Sequence, residues 1–278
     1  MFTVGKPSRA AILITYAVGV ATLVVFLFPI FWMALTSFKV TAQAFTSRPV
    51  LVFRPTLDNY RDVLIERNFI NYIGNSILVG VVATLLTLAL ASSVAYPLAR
   101  YALKGGRHIT SWILSLRIVP PIVSVVPLYI IFSRTGLIDQ YPSLIIMYTF
   151  MNLPLAVWML RGFFAEIPRE LEEAALVDGS SPVGTFFRIV LPLVVPGLIS
   201  TGMLSLIFCW NEFLFANVLT AARAKTAPVG LTEYATPVSV LWTQIMAAGT
   251  VVVLPVLIAG VFIQRYLVRG LAMGAVKG

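Results

Sequence analysis

The sequence predicts an all-α membrane protein with six transmembrane helices. Three observations lead to this prediction: apolar residues make up 59% of the 278-residue chain, charged residues make up only 11%, and the mean hydropathy is +0.93. A soluble domain carries about 25% charged residues. The chain is long enough for about six helices of roughly 20 residues with short connections. The basic residues behind the formal charge of +9 are scattered between apolar runs, which argues against a nucleic-acid partner.

The first apolar run, at about residues 10–36, predicts span one. It is longer than the core of a signal peptide, and no small-residue cleavage site follows it. From Lys39 to about Asn68 the chain turns polar, which indicates a loop outside the membrane with one short helix near residues 57–65.

Span two is predicted at about residues 70–98 and span three at about residues 109–132. A compact basic turn separates the two runs. Span three contains Pro120-Pro121 and Pro127, and proline removes a helical hydrogen bond and clashes with the preceding turn. We therefore expect span three to be kinked or partly unwound.

The second half of the chain contains three further runs. Span four is predicted at about residues 142–164, span five at about 190–219 and span six at about 241–267. Pro154 predicts a kink in span four, and span five is also expected to be kinked. The charged segment 165–189 separates spans four and five. The chain is predicted to form a single domain over residues 1–278.

Lysine and arginine in the loops indicate the orientation of the helices. With the N-terminus in the cytoplasm, the inside segments hold eleven basic residues and the outside segments eight, five of them in the loop 39–68. Counted over the short loops alone, the ratio is eleven to three. Both termini and the segment 165–189 are therefore predicted to be cytoplasmic.

The segment 165–189 carries start and stop signals of two short helices. Pro168 at a first-turn position and two early glutamates begin the first helix, and Gly179 follows its last residue. Ser181-Pro182 is typical of the cap and first residue of a second helix. Helical spacing places Leu171, Ala174 and Ala175 near one face, where another protein could approach the backbone closely. On these signals alone, a solvated hairpin between two spans is an equally good interpretation.

This segment resembles a known motif. Glu173-Ala174-Ala175, followed by Gly179 and then by Ile189-x-Leu191-Pro192, is similar to the Glu-Ala-Ala loop of the membrane subunits of bacterial ABC importers. The resemblance implies the type I importer permease fold, in which this loop is a coupling helix that docks on an ATPase subunit. Gly179 would then need a positive φ, which glycine adopts without strain. The resemblance assigns ATPase coupling to Glu173, Ala174, Ala175, Asp178, Gly179 and Pro182.

Arg117 and Glu212 are ionisable residues within predicted spans, where a charge is costly unless it faces a cavity or a partner. Either they line a transport pathway, or they pair with each other or with the backbone to hold the helices together. Thr201, Ser205 and Glu212 share one helical face of span five, which also suits polar contacts between helices.

Trp210 and Asn211 beside Glu212 provide the aromatic face and hydrogen-bonding groups that a polyhydroxylated ligand needs. Tyr148 and Asn152, four residues apart in span four, could contribute similarly. The candidate pathway residues are therefore Arg117, Tyr148, Asn152, Ser205, Asn211 and Glu212.

Three further stretches resemble the carbohydrate branch of these permeases, typified by the second membrane subunit of the maltose/maltodextrin importer. They are Trp210–Ala216, Ala227–Leu231 and the ending Gln264–Gly278. The resemblance implies half of the translocation pathway for a sugar or polyol. It also implies that Pro228 and Gly230 lie in a loop that meets an external solute-binding protein, and that the tail around Lys277 reaches the ATPase dimer.

The chain has no Gly-x-x-x-x-Gly-Lys-Ser/Thr loop and one histidine, so neither ATP hydrolysis by this subunit nor a histidine-based metal site is expected. No motif of a hydrolytic enzyme is present either. The resemblance implies a homologous second permease, an ATPase dimer that binds ATP and Mg, an external solute-binding protein and a bacterial inner membrane. The alternatives are a permease for glycerol phosphate or another solute, an ATP-independent facilitator, and, less favoured, a membrane scaffold.

Overall fold

Each predicted span corresponds to one helix or to a series of helices in the computed structural model, which describes residues 8–44, 46, 49–235 and 240–275. In these residues the chain is helical, with one β-bridge between Ala235 and Val240 and no strand. The helices that correspond to the six spans are Arg9–Ser37, Phe69–Arg100, Gly106–Ser115 with Pro121–Arg134, Tyr141–Glu166, Val195–Asn211 with Leu214–Leu219, and Trp242–Ala275.

Shorter elements connect these helices. They are α-helices at Thr41–Ala44, Asp58–Arg61, Arg169–Val177, Pro182–Thr185, Leu191–Leu193 and Ala227–Gly230, π-helical turns at Asp62–Glu66 and Phe186–Val190, and 3₁₀ turns at Leu116–Ile118 and Leu231–Tyr234. The loop after span one therefore contains the short helix that the sequence predicts near residues 57–65.

Four of the long helices are apolar enough to cross a membrane alone, and two bent pairs raise the number to six. One pair is His108–Ile118 with Pro121–Arg134, bent by 89°. The other is Pro182–Leu193 with Val195–Asn211, bent by 73°. The prediction of an all-α membrane protein is thus confirmed, and six spans result when each bent pair counts as one.

The break in span three lies where the prolines predict it. Val119 and Pro120 are extended, and Pro121 begins the next helix, where its missing N–H is not needed. In span four, by contrast, Pro154 lies inside one uninterrupted helix. Span five is broken rather than kinked. Its helix is interrupted both near Val194 and at Glu212-Phe213.

The helices group into two compact units, residues 1–69 with 231–253 and residues 70–230 with 254–278. That they form a single domain stays a prediction. In the first unit the end of span one is tied to the following loop. The side chain of Asn59 donates hydrogen bonds to the backbone oxygens of Ser37 and Lys39, each at 2.8 Å. The Lys39 ammonium lies 4.5 Å from the centre of the Trp32 ring, and burial lowers the pKa of this lysine.

In the second unit, spans two, four and five pack through small residues. A Cβ on Gly202 would lie 3.0 Å from Leu88, and a Cβ on Gly80 would lie 3.1 Å from Leu206. Glycine at these positions lets spans two and five approach closely. The buried side chains form two clusters along the bundle, one around Tyr148 and Cys209 and one around the alanines of span two and Phe164.

Candidate functional site

The segment that the sequence singles out forms a helical hairpin, residues 168–185, which we call the Glu-Ala-Ala hairpin. Its first helix is Arg169–Val177, with Glu170 and Glu172 in the first turn, where carboxylates interact favourably with the helix dipole. Pro168 is the N-cap residue rather than a first-turn residue, so the prediction was wrong by one position. Its extended backbone turns the chain into the helix.

The first helix ends in a Schellman motif centred on Gly179. The N–H of Ser180 donates to the oxygen of Ala175 at 2.9 Å, and the N–H of Gly179 donates to the oxygen of Leu176 at 3.1 Å. Gly179 has a φ of +85°, so the expected positive backbone angle is confirmed. The second helix, Pro182–Thr185, begins as predicted, because the Ser181 hydroxyl accepts a hydrogen bond from the N–H of Gly184.

The predicted coupling residues divide into an exposed set and one buried residue. Glu173, Ala174, Asp178, Gly179 and Pro182 are exposed. The side chain of Ala175 is buried at 7% exposure against the bundle. The expectation that Leu171, Ala174 and Ala175 share an accessible face was therefore wrong for Ala175, which lies about 100° around the helix from Ala174.

Several apolar side chains on this hairpin are exposed. Leu171 is 44% exposed, Leu176 is 46% exposed and Val177 is 87% exposed. Exposure of such apolar side chains to water is unfavourable compared with their burial. Their exposure is typical of a surface that meets another protein.

The sequence interpretation missed an ion pair that holds the hairpin against the end of span two. One carboxylate oxygen of Glu172 forms an ion pair with Arg100 Nε at 2.5 Å, and the other accepts a hydrogen bond from the Tyr96 hydroxyl at 2.7 Å. The two charged side chains are only 6% and 13% exposed. Tyr96 in turn packs against Phe186, with ring centres 4.8 Å apart. From the sequence, Arg100 was interpreted only as one of the basic loop residues that indicate orientation. No pattern of neighbouring residues connects it with Glu172.

A cavity of about 190 Å³ opens beside this ion pair. It is lined on one side by the end of span two and on the other by the hairpin. The lining includes Arg100, Arg169, Glu172, Glu173 and Pro182. Two of the predicted coupling residues therefore border a recess rather than a flat surface.

The candidate pathway residues lie at the other interruptions of the bundle. Arg117 is in the 3₁₀ turn Leu116–Ile118, immediately before the extended Val119-Pro120. Glu212 follows the end of the helix Val195–Asn211, and its backbone is extended. Its carboxylate accepts hydrogen bonds from the N–H groups of Phe215 at 2.9 Å and Ala216 at 3.1 Å, and so caps the next short helix.

These breaks bring four of the six candidate pathway residues to one cavity of about 110 Å³, the membrane cavity. Its lining comprises Arg117, Tyr148, Met151, Asn152, Phe208, Cys209 and Glu212. The guanidinium of Arg117 lies 5.1 Å from the centre of the Phe208 ring. No ion pair joins it to Glu212 among the described residues. Of the structural alternatives, pairing with backbone therefore holds for Glu212.

The other two candidates lie elsewhere. Ser205 is buried in the helix packing at 4% exposure, and exposed Asn211 donates to the oxygen of Ile207 at 2.8 Å. Glu212 does not share a helical face with Thr201 and Ser205, because the helix ends before it. The aromatic side chain that span five contributes to the membrane cavity is Phe208 rather than Trp210.

At the opposite end of span four, Asp139 clamps the loop after span five. Its carboxylate accepts from the backbone N–H groups of four successive residues at 2.9 to 3.2 Å, Ala221, Ala222, Arg223 and Ala224. The next part of the loop is held by Asn75, whose amide donates to the oxygens of Arg223 and Lys225. Pro228 is half-buried and Gly230 is buried. Their contact with a binding protein stays a prediction, and the predicted tail at Lys277 lies outside the described residues.

Replacing Asp139 by asparagine should loosen this loop. Burial alone would raise the pKa of Asp139, but the four N–H donors outweigh it and lower the pKa from 3.8 to about 2. The stabilisation from ionised Asp139 is therefore complete above about pH 4 and is lost as the pH falls towards 2. We expect a loss of about 1 to 2 kcal/mol at neutral pH after solvent screening is allowed for.

Asparagine also tolerates the φ of +58° at this position, so the substitution isolates the charge. The measurement is the thermal midpoint of Asp139→Asn and of the parent protein between pH 8 and pH 3. The two midpoints should approach each other only below about pH 4. A constant difference down to pH 3 would contradict the assignment to the carboxylate.

The sequence and the fold are similar to those of known transport proteins. Residues 90–273 match the family described as binding-protein-dependent transport system inner membrane component. The chain belongs to this family. It is 36% identical over 259 residues to the trehalose/maltose transport system permease protein MalG of Thermococcus litoralis, covering 92% of this chain and 93% of that protein.

Two further relatives extend this comparison. The sulfoquinovosyl glycerol transport system permease protein SmoH of Agrobacterium fabrum is 36% identical over 280 residues, covering 100% of this chain and 96% of that protein. The crystal structure of a bacterial ABC transporter involved in the import of the acidic polysaccharide alginate matches with a TM-score of 0.79 at 22% identity, over 94% of this chain and 99% of that chain. The structural likeness confirms the permease fold, and the family is one of transport subunits.

Proposed function

We propose that this chain forms half of the translocation pathway of an ATP-driven importer for a sugar or polyol. The observation that carries the proposal is the Glu-Ala-Ala hairpin, which combines exposed apolar side chains with a buried ion pair to span two. A surface that is both accessible and rigidly attached can pass a displacement from a docked protein to the transmembrane helices. Relatives that are carbohydrate permeases support the class of solute.

In this proposal the N- and C-termini and the hairpin face the cytoplasm of a bacterium, and the chain spans its inner membrane. The hairpin docks on an ATPase subunit, with Glu173, Ala174, Asp178, Gly179 and Pro182 at the contact and Ala175 supporting the helix from below. A dimer of this ATPase binds ATP and Mg. Closure of the dimer moves the hairpin as a lever and rotates the attached spans.

The remaining partners complete the pathway. A homologous second permease forms the other half, and an external solute-binding protein delivers the solute to the side where Asp139 and the loop 220–235 lie. Ser205, Asn211 and the residues of the membrane cavity line or support the pathway in this subunit. The chain itself needs no cofactor.

The test is reconstitution of this chain with the second permease, the ATPase dimer and the binding protein in lipid vesicles. ATP hydrolysis is measured with a panel of sugars, polyols and glycerol phosphates. We expect one sugar or polyol to stimulate hydrolysis at least fivefold and to accumulate inside the vesicles. Stimulation only by glycerol phosphate would transfer the proposal to that solute, and solute flux without any ATPase would replace it with a facilitator.

A further inference from the structure

Two lining residues of the membrane cavity, Arg117 and Glu212, lie at or next to stretches of irregular backbone. Val119-Pro120 interrupts span three and Glu212-Phe213 interrupts span five. Inside a membrane, non-helical backbone is tolerated only where protein covers it or where it faces a polar cavity. In transporters, discontinuous helices of this kind provide polar groups to a solute. Two interruptions at one cavity therefore indicate a polar compartment.

The two ionisable groups at the cavity are of opposite charge, and each charge is stabilised by a different neighbouring group. The Glu212 carboxylate is held by two backbone N–H groups at the start of a helix. The Arg117 guanidinium lies over the face of Phe208, where a cation is attracted by the ring. Because the formal charges cancel and each is locally offset, the lining offers no excess charge to an ionic solute.

Two polar side chains of the lining, in contrast, have hydrogen-bonding groups that the protein does not use. Tyr148 is only 2% exposed; Glu212 and Thr226 lie near its hydroxyl, but within the described residues neither meets the geometry of a hydrogen bond. A buried hydroxyl without a partner costs free energy, and in a functional site this indicates a ligand or water that completes it. Asn152 uses its side-chain N–H groups on the oxygen of Tyr148 and on Cys209 Sγ, which leaves its amide oxygen as an acceptor at the cavity.

We infer that the membrane cavity is a solute subsite that binds one hydroxyl-bearing edge of a neutral sugar or polyol. The inference rests on the proposed function and narrows its solute to the uncharged members of the class. Arg117 and Tyr148 donate to solute hydroxyls, Asn152 accepts from them, and Phe208 offers its face to C–H groups. At about 110 Å³ the space holds a few water molecules or part of one sugar ring, so the second permease must complete the site.

The relatives do not decide the charge of the solute, because they range from a trehalose/maltose permease to an importer of the acidic polysaccharide alginate. The cavity does favour one class. The lining has no excess positive charge to offset the desolvated carboxylate of an acidic sugar, because Arg117 is balanced by Glu212, whereas a neutral sugar can use the donors and acceptors of the lining. A matched pair of probes therefore tests the inference directly.

Glucose and glucuronate form this pair, since they differ only in the group at carbon six. Binding of each probe at millimolar concentration is measured by saturation-transfer NMR on the assembled importer without the binding protein. We expect a signal for glucose at least fivefold stronger than for glucuronate. Tyr148→Phe should reduce the glucose signal about fivefold, and Glu212→Gln should raise the glucuronate signal relative to glucose.

Thr201→Val is the matched control. Thr201 in span five, like Tyr148 in span four, has a buried hydroxyl without a hydrogen-bond partner among the described residues, but it does not line the membrane cavity. This variant should leave both signals unchanged. Equal glucose signals in Tyr148→Phe and Thr201→Val, or a stronger signal for glucuronate than for glucose in the parent importer, would overturn the inference. The same preparations are assayed for sugar uptake with the binding protein present. If the parent importer transports sugar but fails the NMR test, the inferred subsite is wrong and the proposed function still holds.

Discussion

Glu172→Gln should lower the thermal midpoint of the purified chain by roughly 10 °C, because it leaves Arg100 buried without a counter-charge. The Arg100 and Glu172 side chains are 6% and 13% exposed, so an unpaired guanidinium would be only partly hydrated from the neighbouring cavity. Breaking a buried pair by removing one member costs about 3 to 5 kcal/mol. The glutamine can still accept from the Tyr96 hydroxyl, which makes charge the main difference.

The neighbouring acidic residue provides the control. Glu170 lies in the same helical turn but is exposed, and Glu170→Gln should change stability by no more than about 0.5 kcal/mol. The double variant Arg100→Met/Glu172→Leu should recover most of the stability, because apolar side chains of similar size can replace a buried ion pair at little cost. If Glu172→Gln and Glu170→Gln have the same thermal midpoint, the ion pair between Arg100 and Glu172 does not stabilise the hairpin.

Transport should respond differently from stability. The double variant packs well but lacks the directional contact between the hairpin and span two, so we expect it to hydrolyse ATP while uptake falls several-fold. The measurement is the ratio of solute transported to ATP hydrolysed in vesicles. An unchanged ratio in a stable double variant would mean that packing alone transmits the displacement.

The features that could be predicted from the sequence are those with local causes. Long apolar runs predicted the helices, the proline pair predicted the break of span three, and glycine and serine predicted the end and the beginning of the two hairpin helices. Each of these signals acts within about one helical turn. Pro154 does not interrupt the helix Tyr141–Glu166, and the kink expected there stays a prediction.

The features that could not be predicted depend on partners distant in the chain. Arg100 and Glu172 are 72 positions apart, and Asp139 binds backbone groups more than 80 positions away. The break at Glu212 depends on a side chain that caps the following helix, where the sequence shows only a further apolar run. The membrane cavity itself follows from these breaks. Residue types indicated Arg117, Tyr148, Asn152 and Glu212 as candidates, but only the fold brings them together.

Gly179→Val should uncouple ATP hydrolysis from transport. The φ of +85° at Gly179 is a conformation that valine adopts only with strain of about 1 to 3 kcal/mol. A Cβ at this position would meet no atom within 4 Å, so backbone strain, and not a steric clash, is the cause of the effect. Relief of the strain opens the Schellman motif and displaces Leu176 and Val177, the exposed apolar end of the hairpin.

We expect uptake to fall at least tenfold in Gly179→Val, while ATP hydrolysis by the assembled importer stays within about twofold of the parent. Gly179→Asn should keep most of the uptake, because asparagine tolerates a positive φ. Gly162→Val controls for added bulk, since Gly162 has equally open surroundings and no positive φ. Equal uptake in Gly179→Val and Gly162→Val would show that the turn after the Glu-Ala-Ala helix transmits no displacement. Loss of hydrolysis together with uptake would instead indicate that Gly179 is needed for docking of the ATPase.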